Sequence, residues 1–197
     1  MKITPKIEWA ICRSAELHKN QVRRHSDIPY VAHPFAIAFH LQNYTDNEDI
    51  IVAALLHDVL EDVRGYEYPD LAKEFGKKVA DIVQDVSEEK SPYSTDKKDV
   101  ETWKYRKERY IENLKRASRE ALFVSAGDKF HNLHSLLEIH KVHGDPMWKM
   151  FHAPQPKAET SLWFYEGVLS VLKKRLDSPI VKDVEKNYKE AVNAFLH

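Results

Sequence analysis

The chain has 197 residues, 43% of them hydrophobic and 31% charged, and a formal net charge of −1. That balance excludes a disordered polymer, and it leaves no global basic field to draw the protein onto nucleic acid or a membrane surface. The length suits one domain with a core of its own, and only 5 glycines, with no alternating apolar stretches bounded by turns, favour helices.

Ile3 to about Asn20 reads as an amphipathic helix with Ile7, Ile11, Ala15 and Leu17 near one face. Cys12 is the one cysteine, so no intrachain disulfide can form, and its apolar neighbours Trp9, Ala10 and Ile11 point to a buried, inert thiol. The opening Met-Lys-Ile-Thr-Pro-Lys has no apolar signal region, and no run of about 18 apolar residues occurs, so a cytoplasmic protein is expected. After a polar turn over 21–29, Pro34 sits in the first turn of a second helix containing Phe35, Ile37, Ala38 and Leu41. Asp46 is placed to cap a helix from Asn47 to about Val63, whose first turn carries Glu48 and Asp49. Ile50 to Leu56 is unbroken apolar, which marks a central, buried helix.

Pro69 opens a short helix that runs to Phe75, Gly76 punctuates, and Lys77–Val86 forms the next helix. Residues 87–100 read as a loop containing Pro92, and a charged helix is expected over about 101–115. Ser118 caps a helix from Arg119 to about His140. Gly144, Pro146, Pro154 and Pro156 mark 143–156 as a loop or short turns. Two helices close the chain, about 159–176 and 179–196, with Ser178 as the cap of the second. The expected fold is therefore all-α, a compact single domain over residues 1–197 with about eight to ten helices.

The apolar run of the central helix ends in His57-Asp58-Val59-Leu60-Glu61-Asp62. His57 and Glu61 are four apart, as are Asp58 and Asp62, and on a continuous helix such pairs share a face. Carboxylates gathered at the end of a buried helix repel one another, and a divalent cation is the simplest way to hold them ionised together. Two further residues could join them. His33 stands between Ala32 and Pro34 at the start of a helix, and Asp128 interrupts an apolar helix, where on the residue alone a cap or a salt bridge to Lys129 is the simpler reading. The other histidines (His18, His40, His131, His134, His140, His143, His152) lack metal spacing to one another, and Trp163, Phe164 and Tyr165 read as core.

The order His33-Pro34, then Leu55-Leu56-His57-Asp58-Val59-Leu60-Glu61-Asp62, then Ser125-Ala126-Gly127-Asp128-Lys129-Phe130-His131-Asn132-Leu133, resembles the HD phosphohydrolases. More narrowly it is similar to the hydrolase domain of RelA/SpoT proteins and to the small alarmone hydrolases. Supporting stretches are His18 to Arg24 with Pro29-Tyr30, Phe75-Gly76, Val86 to Lys90, and Arg106 to Ile111. The motif-bearing core covers about 10–140, with C-terminal helices over about 158–196. The resemblance implies manganese, or another divalent ion, on His33, His57, Asp58 and Asp128, with Glu61 and Asp62 handling the attacking water. Two nitrogens and two carboxylates leave open positions on a six-coordinate ion for water and a phosphate oxygen.

The same resemblance implies a small-molecule nucleotide as substrate, with no nucleic acid or membrane partner. Its reaction would be removal of the 3′-pyrophosphate from guanosine, or adenosine, tetra- and pentaphosphate. Arg24 and Tyr30 would flank the base, and Lys129, Asn132 and Ser135 would meet phosphate or ribose. Where that family reads Arg-Lys-Ser-Gly-Glu-Pro-Tyr, this chain has Arg24-His25-Ser26-Asp27-Ile28-Pro29-Tyr30. Two other functions are open: an HD phosphatase acting on a nucleoside monophosphate or NADPH, and a catalytically silent nucleotide-binding module.

Overall fold

The computed structural model describes residues 2–23, 27–88, 96–151 and 153–197, with 96–99 described for their backbone alone. Among these residues the chain forms ten α-helices and one 3-10 turn, with no strand beyond a single bridge between Val22 and Pro29. The helices are α1 (Pro5–Leu17), α2 (Ala32–Leu41), α3 (Glu48–Leu56), α4 (Val59–Asp62) and α5 (Tyr68–Phe75). They continue with α6 (Lys77–Val86), α7 (Asp96–Leu114), α8 (Arg119–His143), α9 (Lys157–Arg175) and α10 (Ile180–Leu196), the 3-10 turn Asp145–Met150 lying between α8 and α9. No helix among the described residues is long and apolar enough to cross a membrane.

The helix ends follow local chemistry. Thr4 Oγ1 accepts the Ile7 amide ahead of Pro5, and Ser118 Oγ accepts the Ala121 amide. Glu67 and Asp70 cap α5 reciprocally, with Pro69 in its first turn. Gly76 then turns the chain into α6 at φ +91°, a conformation open to glycine. At the next predicted caps the structure differs. Asn47, not Asp46, accepts the Asp49 amide at 3.0 Å, and Ser178 contributes only its backbone carbonyl, to Val181, at the start of α10.

α3 is the central rod. Every residue from Ile50 to Leu56 is buried, because α1, α2, α6 and α8 surround it, and α8 in turn carries α10 on another side. A helix apolar around its whole circumference requires this encirclement. The loop expected over 87–100 is shorter, since α7 already begins at Asp96; its middle lies outside the described residues. On α1 the buried line is Ile7, Ala10 and Ser14 rather than Ile7, Ile11 and Ala15. That rotation puts Cys12 on the solvent side, so the thiol expected to be buried is exposed. That buried line packs against α3.

Candidate metal centre

The central helix does not run through to Val63. α3 stops at Leu56, and α4 restarts at Val59 with the Glu61 and Asp62 amides on the Asp58 carbonyl. Asp58 sits at φ −98°, ψ −3°, in the sparsely allowed bridge region often found at active sites. The break replaces the single helical face expected for His57, Asp58, Glu61 and Asp62. A regular helix would fan His57 and Asp58 apart by its turn angle, whereas the break brings His57 Nε2 to 2.9 Å from Asp58 Oδ2.

Three helices meet at this point. α2 supplies His33, whose Nε2 lies 3.2 Å from Asp128 Oδ1 and 3.7 Å from Asp58 Oδ2. α8 supplies Asp128, whose Oδ1 lies 3.8 Å from His57 Nε2. The ligand atoms of His33, His57 and Asp58 all fall within 4.8 Å of one another. His33 is 2% exposed, His57 4% and Asp128 8%.

The donor chemistry suits a divalent cation. The His57 Nδ1–H donates to the Ala54 carbonyl at 2.9 Å, which leaves Nε2 as the lone-pair nitrogen. That Nε2 is a buried polar atom without a hydrogen-bond partner, its approach to Asp58 being off the hydrogen-bonding direction. A buried nitrogen of this kind, between two carboxylates, is what coordination would satisfy. Burial opposes the imidazolium of His57, and the Asp58 and Asp128 carboxylates overcome it, raising its pKa to about 9. The site therefore draws positive charge, and proton and metal compete for it. Burial lowers the pKa of His33, keeping that ring neutral. Burial likewise opposes ionisation of Asp128, but the adjacent Lys129 and the two histidines hold it well below the usual carboxylate range.

The other residues singled out from the sequence surround this centre. Tyr30 donates its hydroxyl to Asp58 Oδ2. Lys129 is buried and paired with Asp128, its ammonium 4.6 Å from the centre of the Tyr110 ring, so the salt-bridge role exists as read. Asn132, one turn along α8, donates to Asp128 Oδ1 at 2.5 Å. Glu61, Asp62 and Ser135 line the same cavity, a space of about 1240 Å³ that also holds Asp58, His33 and Asp128 in its wall. Glu61 Oε1 accepts the backbone amide of Glu88 at 3.0 Å, and the Asp62 carbonyl accepts Gln21 Nε2 at 2.8 Å. Arg24 lies outside the described residues.

Several contributors carried no distinctive sequence signal. The Nδ1 atoms of His33 and His131 are 2.9 Å apart, so one ring donates to the other and His131 holds the orientation of His33. The only hint was the three-residue spacing of Asp128 and His131 on one helix. His18 is buried, its Nδ1 2.7 Å from Gln21 Oε1 and its ring 5.0 Å from Tyr30. Arg23 reaches Asn132 Oδ1 at 3.3 Å, and Tyr165 is a cavity residue as well as a core one.

Residues 10–144 match the HD domain family. The chain is 31% identical over 131 residues to the bifunctional (p)ppGpp synthase/hydrolase SpoT of Escherichia coli K12, covering 66% of this chain and 18% of that protein. It is 36% identical over 129 residues to the zebrafish (Danio rerio) guanosine-3′,5′-bis(diphosphate) 3′-pyrophosphohydrolase MESH1, covering 62% of this chain and 64% of that one. The chain thus spans less than two thirds of either relative. Among solved structures it superimposes on a metazoan ortholog of SpoT described as hydrolysing ppGpp, with a TM-score of 0.76, 23% identity, and 96% and 97% of the two chains covered. At that identity the likeness is one of fold.

Proposed function

The chain belongs to the HD domain family, and from that premise we propose that it is a manganese-dependent phosphohydrolase removing pyrophosphate from the 3′ position of guanosine, or adenosine, tetra- and pentaphosphates. One observation carries the proposal: the ligand atoms of His33, His57 and Asp58 lie within 4.8 Å of one another beside a nucleotide-sized cavity, Asp128 Oδ1 stands 3.2 and 3.8 Å from the two imidazoles, and His57 Nε2 has no hydrogen-bond partner. The names of the SpoT and MESH1 relatives support the substrate class. The near-complete overlap with the SpoT ortholog structure supports reading residues 1–197 as one HD unit, which we place in the cytoplasm.

His33, His57, Asp58 and Asp128 would hold the ion, which when bound lowers the pKa of a coordinated water and neutralises phosphoryl oxygens. Glu61 and Asp62, in the helical turn that follows Asp58, lie where a water beside the centre can be hydrogen-bonded. Glu61, fixed by the Glu88 amide, takes the proton of the attacking water as its oxygen bonds to the phosphorus next to the ribose. Asp62, tied to the turn at Gln21, returns a proton to the 3′-oxygen as the phosphorus–oxygen bond breaks and pyrophosphate departs. Tyr30 and Asn132 orient Asp58 and Asp128 through their hydrogen bonds, and Lys129 offers positive charge at the phosphate end. Arg24 and Tyr30 would flank the base, with Ser135 on the ribose side.

Incubation of the manganese-loaded protein with a nucleotide panel tests this reading. Release of pyrophosphate from guanosine tetraphosphate is the expected result. Orthophosphate release from a nucleoside monophosphate or NADPH would replace the substrate assignment, and binding without turnover would remove the enzymatic one.

A further inference from the structure

Gln21 stands where three parts of the site meet. Its backbone amide donates to the His18 carbonyl at the end of α1, and its own carbonyl accepts the Tyr30 amide, both at 2.9 Å. Its side chain spans the remaining gap, with Nε2 donating to the Asp62 carbonyl at 2.8 Å and Oε1 lying 2.7 Å from His18 Nδ1. Chemistry fixes the direction of this chain. A backbone carbonyl only accepts, so the amide nitrogen of Gln21 faces Asp62 and its oxygen faces His18, whose ring proton therefore sits on Nδ1. His18 is 1% exposed and its ring centre lies 5.0 Å from that of Tyr30, so the donor that meets Gln21 is held inside the protein.

Neither Gln21 nor His18 lines the cavity, so both reach the chemistry through other residues. The residue they reach lies in the shortest helix among the described residues. α4 has four residues, and a single helical turn does not hold its shape unaided. At its start the Asp58 carbonyl accepts the Glu61 and Asp62 amides. The Asp62 carbonyl is among the last of the helix, which have no partner within it, and Gln21 Nε2 fills that place. The same Gln21 holds Tyr30 by its backbone, and the Tyr30 hydroxyl donates to Asp58 Oδ2 at the other end of the turn. We propose that Gln21, oriented by His18, is a positioning residue that anchors the α4 turn and sets where the Asp62 carboxyl meets the leaving oxygen. Through its backbone it also ties that turn to Tyr30, so that the residue flanking the base and the residue returning the proton keep one geometry. The inference rests on the hydrolase reading for what the turn does, though not for the anchoring itself.

Gln21→Met decides it, because methionine keeps the reach of the side chain and removes both polar ends while the two backbone bonds remain. In the manganese-loaded protein acting on guanosine tetraphosphate, kcat falls by about 10- to 100-fold, the scale of a small misplacement of a reacting group, while KM and manganese affinity stay within about 2-fold of the wild type. In an Asp62→Asn background the same substitution lowers kcat by about 2-fold or less, because the carboxyl it would misplace is gone. Hydrogen exchange of the amides over 59–63 speeds up by about 10-fold, the loss of one hydrogen bond read as local opening. Nitrogen NMR of the wild type places the His18 ring proton on Nδ1, and a proton on Nε2 overturns the orienting role. A kcat of Gln21→Met equal to the wild type, or the full loss repeated in the Asp62→Asn background, overturns the inference. If the wild type turns over no guanosine tetraphosphate, the hydrolase reading falls and exchange decides the anchoring, equal rates overturning it. Gln21→Glu keeps the acceptor toward His18 and removes the donor toward Asp62, and it serves in the kinetic and exchange measurements should Gln21→Met fail to fold.

Discussion

Replacing Gly127 by alanine tests whether the metal centre depends on how closely α2 and α8 approach. A Cβ at Gly127 would lie 2.9 Å from Ile37 Cγ2, 3.0 Å from Leu41 Cγ and 3.1 Å from Leu41 Cδ1. Ile37 Cγ2 is attached to the stiff β-carbon and Leu41 Cγ is the branch point of its side chain, so neither can swing clear, and the helices must part. Overpacking of this kind costs about 1–3 kcal/mol, while alanine in a helix interior gains about 1 kcal/mol over glycine. The net expectation is destabilisation of about 1 kcal/mol, or a Tm lower by roughly 2–4 °C for a chain of this size. The clash lies one residue before Asp128 and on the same helix as His33, so parting α2 from α8 widens the 3.2 Å gap between His33 Nε2 and Asp128 Oδ1. Manganese affinity should fall with it, by about 10-fold or more. Gly167→Ala is the control: its Cβ would meet the mobile tip of Ile111, Cδ1 at 2.5 Å, which can rotate away. That variant should keep most of the helix-propensity gain and bind metal as the wild type does. Chemical denaturation and metal titration of both variants provide the readout. If Gly127→Ala is as stable as the wild type and binds manganese equally well, the close approach of α2 and α8 does not set the geometry of the centre.

Three further outcomes are expected. Asp128→Ala should lose bound manganese by elemental analysis and lose activity, and chelation of the wild type should lower its Tm, since an ion at 100 times its Kd adds about 2.7 kcal/mol to the folded state; a Tm indifferent to chelator would mean that no ion is bound there. Glu61→Gln should retain the ion and slow turnover by about 10²-fold or more, the scale of general acid–base catalysis, whereas full activity would take Glu61 out of the proton transfer. His131 is held at a pKa of about 4 by burial, aided by His33 and Arg23. Between that value and the unfolded value of 6.5 the unfolded chain binds a proton that the native state refuses, so the contribution is fully present above pH 6.5 and is lost as the pH falls toward 4. Denaturation of metal-free protein at about pH 7 and about pH 5 should therefore show a larger drop in the wild type than in His131→Asn, and equal drops would contradict the argument.

Local chemistry carried much of this protein in readable form. α6 runs over the residues its apolar spacing marked, α5 is bracketed by Pro69 and Gly76, and Ser118 caps α8, because each of these signals acts over a turn or two of backbone. The buried run Ile50–Leu56 likewise declared its central place, since only encirclement satisfies an all-apolar helix. The order of His33, His57-Asp58 and Asp128 named the residues that meet, but their meeting is a property of packing. Which face of α1 packs, and hence that Cys12 is exposed, was decided by its docking on α3. The break at Asp58 cancels the shared helical face of His57 and Glu61, and at that break the Asp58 carboxylate meets Tyr30 and the histidines, which come from other elements or from the end of α3. His131 against His33, and Arg106 and Lys107 on Glu88, join residues far apart in the chain. Such pairs have no spacing to betray them, because the distance between two side chains on different helices is decided only when those helices pack.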